Sequence, residues 1–138
     1  MKGFLLVRSH GVPYGLPLQE VLEVFDEIEA EGIPGGRVAV RGVSHIRERL
    51  VPVVNLGTLL RGETPPDREH RTVVLARCLG KRVALEVDDA EEVVRDQAMP
   101  VPTGPRLPWA TGLAQWRGEM VPIVNLDVVG QRLEVADE

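Results

Sequence analysis

Cysteine is almost missing from this sequence: Cys78 stands alone, which excludes an intrachain disulfide and fits a reducing compartment. Aromatic residues are scarce too, with two Phe, two Trp and one Tyr among 138 residues. Basic charge is in deficit, 16 Lys and Arg against 21 Asp and Glu, for a net charge of −5. A general nucleic-acid binder is thereby disfavoured, because neutralising phosphates needs a basic surface and stacking bases needs aromatic faces. No apolar run approaches the roughly 20 residues that span a bilayer. Met1 to Val7 is too short an apolar stretch for a signal peptide and meets Arg8 at once. The expectation is a cytoplasmic protein without direct membrane insertion.

The constellations of chemistry are missing as well. His10, His45 and His70 stand far apart, and none has a second ligand at metal spacing. There is no Gly-x-Gly-x-x-Gly after a strand and no phosphate loop, since Gly80-Lys81 is followed by Arg82. Ser9 and His10 are neighbours, which in a strand point to opposite faces and do not pair as nucleophile and base. The acidic runs Asp88-Asp89 and Glu91-Glu92 read as solvated strand ends rather than a general acid–base pair. No enzyme activity, metal or organic cofactor is expected.

What the chain has in quantity is Val, 22 residues, with 16 Leu, 14 Gly and 11 Pro. That mixture predicts an all-β domain rich in turns, long enough to bury a core without staples. Its strongest signal is internal. Residues 41–56, RGVSHIRERLVPVVNL, align with residues 111–126, TGLAQWRGEMVPIVNL, and seven of the sixteen pairs are identical. Upstream, Phe4–Arg8 aligns with Val73–Arg77, Gly11 with Gly80 and Leu16 with Leu85, at a spacing of 69. Two copies are too few for a solenoid and suggest two small barrels packed with pseudo-two-fold symmetry. The whole chain, 1–138, is taken as one domain. Its approximate lobes are 1–62 and 68–133, joined by the polar linker 61–71, with the first strand a candidate for exchange between lobes.

Within the first copy, the strand candidates are Phe4–Ser9, Val12–Leu18, Val21–Phe25, Val38–Ile46 and Leu50–Val54. His10-Gly11 and Arg47-Glu48-Arg49 are their turns, and an acidic loop runs from Asp26 to Gly36. Both parities of Leu50–Val54 are apolar, so this strand is covered on both faces. Pro52 cannot donate to a ladder and belongs at an edge or bulge. Asn55 is placed to cap a short helix, Leu56–Leu60. The second copy repeats the plan with Thr72–Arg77, Arg82–Val87, Glu92–Arg95, Gly112–Arg117 and Met120–Val124, and the insert Asp96–Trp109 is its long loop. Short helices are expected after both V-P-x-V-N-L strands.

Read together, R-G-V-x-x-I-R-x-x-L-V-P-V-V-N-L, the later T-G-L…M-V-P-I-V-N-L and the Tyr14-Gly15 pair resemble the CheW family, adaptors of bacterial chemosensory arrays. The likeness runs from about residue 4 to 130. It implies two intertwined five-stranded SH3-like β-barrels and a non-catalytic scaffold. Such a scaffold would couple the cytoplasmic tips of methyl-accepting chemoreceptors to the regulatory domain of a CheA-type histidine kinase, in chemotaxis or pilus-based motility. By position, the resemblance assigns receptor contact to Arg47, with Val21 and Glu23 on an early strand and Val93 and Val94 in the second copy. His45 stands where the motif has Asn, and Glu48 where it has Gly. Glu accepts a positive φ less cheaply than Gly, so this turn governs where Arg47 points. Trp109, in a Pro-rich loop, is a further partner-interface candidate. The rival readings are an SH3-like module binding a peptide or small ligand without kinase coupling, and an enzyme using the acidic residues.

Overall fold

The structure, a computed structural model, describes residues 2–32, 38–67, 71–95 and 100–136. Ten strands appear in chain order: β1 Gly3–Ser9, β2 Val12–Pro17, β3 Val21–Phe25, β4 Val40–Ile46, β5 Arg49–Asn55, β6 Thr72–Cys78, β7 Lys81–Val87, β8 Asp89–Arg95, β9 Ala110–Trp116 and β10 Glu119–Val124. Helix α1, Leu56–Arg61, follows β5, and α2, Leu126–Ala136, follows β10. The expected loop 26–36, linker 61–71 and insert 96–109 each fall partly outside the described residues.

Four two-residue hairpin turns set the registers: His10-Gly11, Arg47-Glu48, Leu79-Gly80 and Arg117-Gly118, all with positive φ at both residues. Paired positive φ values match the right-handed twist of flanking strands, which is why such turns close tight hairpins. Three of the turns have Gly second. Glu48, at φ 66°, takes that place in the fourth without widening the hairpin, because Ile46 and Arg49 still pair across it.

The strands assemble into two five-stranded sheets, ordered β8-β1-β2-β10-β9 and β3-β6-β7-β5-β4. The exchange between sequence copies therefore goes well beyond the first strand. Each sheet takes the first two strands of one copy and the last three of the other. Each sheet joins the copies twice, once antiparallel, β1 with β8 and β3 with β6, and once parallel, β2 with β10 and β5 with β7. Neither sheet closes into a ring of backbone hydrogen bonds: β8 and β9, and likewise β3 and β4, remain its two edges. Among the described residues each is an open, curled five-stranded sheet rather than the closed SH3-like barrel that the resemblance implies.

β5 is an interior strand, not the edge that Pro52 suggested. Pro52 is tolerated because the parallel ladder to β7 begins only at Val53, so its missing N–H falls where no ladder bond is formed. Pro122 in β10 stands likewise one residue before the single parallel pair, Ile123 with Gly15. At the edges, the returning loops form lone bridges, Glu31 with Val43 and Val101 with Leu113. Gly42 and Gly112 admit these close approaches, since an added Cβ would lie 2.1 Å from the Glu31 carbonyl oxygen or 2.6 Å from that of Val101.

Three cores result. Phe4, Leu6, Val94 and Ile123 fill the curl of the first sheet, and Val53, Val73, Leu75 and Ala84 fill the second. Leu5, Val7, Tyr14, Leu16, Leu85 and both helices make the third, shared between the sheets. Alternate residues of β1 thus serve different cores, which explains why both parities of these strands are apolar. Each fully buried Leu, Val or Phe contributes about 1.5–3 kcal/mol.

Candidate functional site

Each sheet has an open edge, and each opening is spanned by side chains from equivalent positions of the two copies. In the second sheet, the positive φ of Arg47 aims its guanidinium from the β4–β5 turn towards the other edge strand, β3. There it donates Nε to Glu23 Oε2 at 2.9 Å and Nη2 to Glu23 Oε1 at 2.5 Å. This fork-to-carboxylate geometry lowers the Glu23 pKa and raises that of Arg47, in both cases chiefly through the hydrogen bonds themselves. The pair stays accessible, with the Arg47 side chain 65% exposed.

The first sheet has the homologous arrangement in weaker form. Glu92 on β8 accepts a hydrogen bond from Trp116 Nε1 at 2.9 Å, and Arg117 Nη2 lies 3.6 Å from its other oxygen. The Arg117 guanidinium sits 5.4 Å over the Trp116 ring, a cation–π contact. Arg117 is thus shared between an aromatic face and a carboxylate, whereas Arg47 commits both arms to Glu23.

The expected site residues are partly united. Arg47 and Glu23 are bonded to each other. Val21 begins the same β3 strand and is half-buried against the shared core. Val93 lies on β8, the first sheet's equivalent edge strand, and is 47% exposed. β8 also touches β6, the ladder partner of β3. Val94, at 2% exposed, points into the first sheet's core, so of this adjacent pair only Val93 meets solvent. Trp109 is likewise a core residue, 5% exposed, with its ring 5.5 Å from that of Tyr14 and its carbonyl accepting Asn125 N–H.

Leu22 and Val24 escaped the sequence reading: they are exposed apolar residues on the outward face of β3. With apolar residues at 21, 22, 24 and 25, the pattern did not reveal which parity faces out, and a bulge between Val21 and Glu23 shifts it further. Glu86 was also missed. It is 2% exposed amid the apolar run of β7, accepts Asn55 Nδ2 at 2.8 Å, and is flanked by Arg41 Nε at 3.1 Å and Arg71 Nε at 2.6 Å. Asn55 is the expected cap of α1, its Oδ1 accepting from Thr58 N at 3.0 Å.

One sequence argument is overturned. Ser9 Oγ and His10 Nδ1 are 3.2 Å apart, because the left-handed turn at His10 breaks strand alternation and swings the ring back. The pair is a latch: Ser9 Oγ also accepts Gly57 N–H at 3.0 Å, and His10 Nε2 lies 2.7 Å from the Thr64 carbonyl. Ser9 is 1% exposed, out of a substrate's reach. Burial pushes the Cys78 thiol up to about 12, which leaves it protonated and unreactive. Among the described residues no group of three or more His, Cys, Asp or Glu could hold a metal, and no helix is long and apolar enough to cross a membrane. What the arrangement offers is two open sheet edges with apolar flanks and a fixed arginine fork, suited to docking a polypeptide.

The solved scaffolding protein TtCheW from Thermoanaerobacter tengcongensis shares this fold, with a TM-score of 0.79 over 90% of this chain and 88% of that one at 22% identity. Protein PilI of Pseudomonas aeruginosa is 37% identical over 96 residues, 70% of this chain. The chain spans about half the length of that relative, 52%. The family described as the CheW-like domain matches residues 3–104. The chain belongs to the CheW-like domain family.

Proposed function

We propose that this chain acts as one domain, a non-catalytic coupling adaptor that joins methyl-accepting chemoreceptors to the regulatory domain of a CheA-type histidine kinase. The setting would be cytoplasmic, at receptor arrays on the membrane, in chemotaxis or pilus-based motility. The observation that carries the reading is the accessible Arg47–Glu23 fork at the second sheet's open edge, on the strand whose outward face bears Leu22 and Val24. Family membership supports it, as does the scaffolding fold of the solved neighbour. In this reading, the receptor tip, a helical hairpin, lays apolar side chains along β3 and across to Val93 in a helix-in-groove mode. Val21 lines the base of the contact, and Val94 supports it from the core. Arg47, held by Glu23, presents its remaining N–H to the receptor without the entropic cost of ordering a free arginine.

The test is calorimetric titration of the chain against a kinase regulatory domain and, separately, a receptor cytoplasmic fragment. Saturable binding to both is expected. Binding to neither, or ligand binding without any change in kinase output, would favour the bare peptide-binding module instead.

A further inference from the structure

Strand parity ends the inward face of the second sheet on three arginines. Val53 and Val51 on β5 belong to the core inside the curl, and Arg49 continues their parity. Val73 and Leu75 on β6 lead likewise to Arg77, and Ala84 on β7 leads to Arg82. All three arginines are exposed. Arg77 and Arg82 stand directly opposite each other in the β6–β7 ladder, a like-charge pairing that costs stability. Among the described residues Arg77 has Glu20 at 3.9 Å, and neither Arg49 nor Arg82 forms an ion pair.

The repeat shows what these positions accept. Their equivalents in the first sheet are Arg8 for Arg77, Pro13 for Arg82 and Glu119 for Arg49. There Arg8 reaches across β2 to Glu119, donating at 2.6 and 3.2 Å, and its Nε donates to Glu91 on β8. Glu91 is the residue skipped by the β1–β8 bulge, and Leu22 is skipped by the matching bulge between β3 and β6. One arginine held by two carboxylates at the first sheet's end thus corresponds to three arginines and a leucine at the second's. The backbone is the same and the charge is reversed, in a chain of net charge −5.

The three arginines line one hollow of about 600 Å³. Residues 49–52 of β5 and 81–83 of β7 border it, all ahead of the first ladder pair between these strands, Val53 with Ala84. Their three adjacent strands spread the arginines over two interstrand spacings, about 9–10 Å. That span and that charge exceed what a single carboxylate or phosphate group can answer, and they suit successive acidic side chains of a polypeptide. Glu23, the carboxylate on the neighbouring edge strand, has both oxygens engaged by Arg47.

We infer that Arg49, Arg77 and Arg82 bind an acidic segment of a partner polypeptide, whose carboxylates take the places that Glu91 and Glu119 hold around Arg8. Guanidinium forks match carboxylates bidentately, which gives the contact geometry as well as charge. The inference goes beyond the receptor and kinase reading. It uses none of the side chains assigned to the receptor, so either can fail alone.

Fluorescence anisotropy of a labelled hexaglutamate peptide titrated with the full chain tests it. Saturable binding is expected, weakening as salt is raised so that the Debye length shrinks from about 10 Å towards 3 Å. Arg82→Ala should weaken it about tenfold. Arg49→Glu rebuilds with Arg77 the pairing of Glu119 with Arg8, so it should abolish binding while raising the melting temperature by about 1–3 °C. Arg106→Glu, at an exposed position outside the site, should leave binding at the parent's value. Absence of binding at low salt overturns the proposal, as do parent-like binding by Arg49→Glu or equal losses in Arg82→Ala and Arg106→Glu. Inorganic phosphate that displaces the peptide at an equal concentration would also overturn it and assign the site to a phosphate ligand.

Discussion

The first copy, β1 to α1, and the second, β6 to α2, build the same unit with different partners for several of its polar residues. The β1–β2 hairpin tip reaches its helix through Ser9 and His10, hydrogen-bonded to Gly57 and the Thr64 carbonyl. The β6–β7 tip places Cys78 and Leu79 at the equivalent positions, with Leu79 against Gly130 of α2. Pro17 in β2 corresponds to Glu86 in β7, the buried centre of an Asn55, Arg41 and Arg71 network. Arg47 holds Glu23 with both arms, and Arg117 divides itself between Glu92 and Trp116. The repeat preserves the backbone, the apolar pattern and a few polar residues, Arg47 with Arg117 and Asn55 with Asn125 among them. Where polar partners diverge, the two copies hold equivalent residues in different ways.

The sharpest way to break this comparison is at Glu86. Glu86→Ala leaves Arg41 and Arg71, 17% and 14% exposed, facing each other without their anion. Removing one member of a buried charge network costs about 3–5 kcal/mol, read from chemical denaturation. Pro17→Ala, at the equivalent site, should cost less than about 1 kcal/mol. Similar losses at the two sites would mean that the network does not hold the second sheet to the linker.

A smaller effect separates the two β-hairpin tips. Glu48 holds a left-handed conformation that Gly118 adopts without penalty in the other copy. Relieving it should stabilise the chain, so Glu48→Gly is expected to raise stability by up to about 1 kcal/mol, while Gly118→Glu lowers it similarly. Thermal melts of the two variants would show the opposite signs.

The smallest effect is the acid sensitivity of the Arg47–Glu23 fork. The folded-state pKa of Glu23 lies below the ordinary 4.5 because Arg47 donates to it. The stability it adds is therefore fully present above 4.5 and lost as pH falls through the depressed folded value. Glu23→Gln should melt slightly below the parent at neutral pH, and the two curves should converge in stronger acid. A gap that persists unchanged in acid would show that the residue acts through packing rather than charge.

The repeat, the hairpins, the Asn55 cap and most strands were legible because period-two alternation, turn residues and caps are local signals. Strand exchange was legible only in part, as an exchanged first strand and as the intertwining that the resemblance implied. β2 and β10, or β5 and β7, carry the same apolar pattern as any alternative partner, so periodicity is silent about which copy a strand joins. Arg47 was singled out through its motif and Glu23 by position, but the bond between them depends on a turn conformation that Glu48 gave reason to doubt. The burial of Val94 and Trp109 was not legible for a simpler reason: apolar side chains suit a core and an interface alike, and only the folded parity separates Val93 from Val94. Glu86 had a visible sign, a lone carboxylate within V-A-L-E-V, whose burial becomes intelligible once Arg41 and Arg71 are brought beside it.

The central claim is that equivalent arginines serve different ends, Arg47 for a partner and Arg117 for the fold. Parallel calorimetry of Arg47→Ala and Arg117→Ala against a receptor cytoplasmic fragment and a kinase regulatory domain tests it most directly, once melts confirm that both variants are folded. Arg47→Ala should weaken receptor binding about tenfold, near 1.4 kcal/mol, and leave kinase binding unchanged, while Arg117→Ala leaves receptor binding at the parent's value. Equal losses of receptor affinity in the two variants, or none in Arg47→Ala, would contradict it.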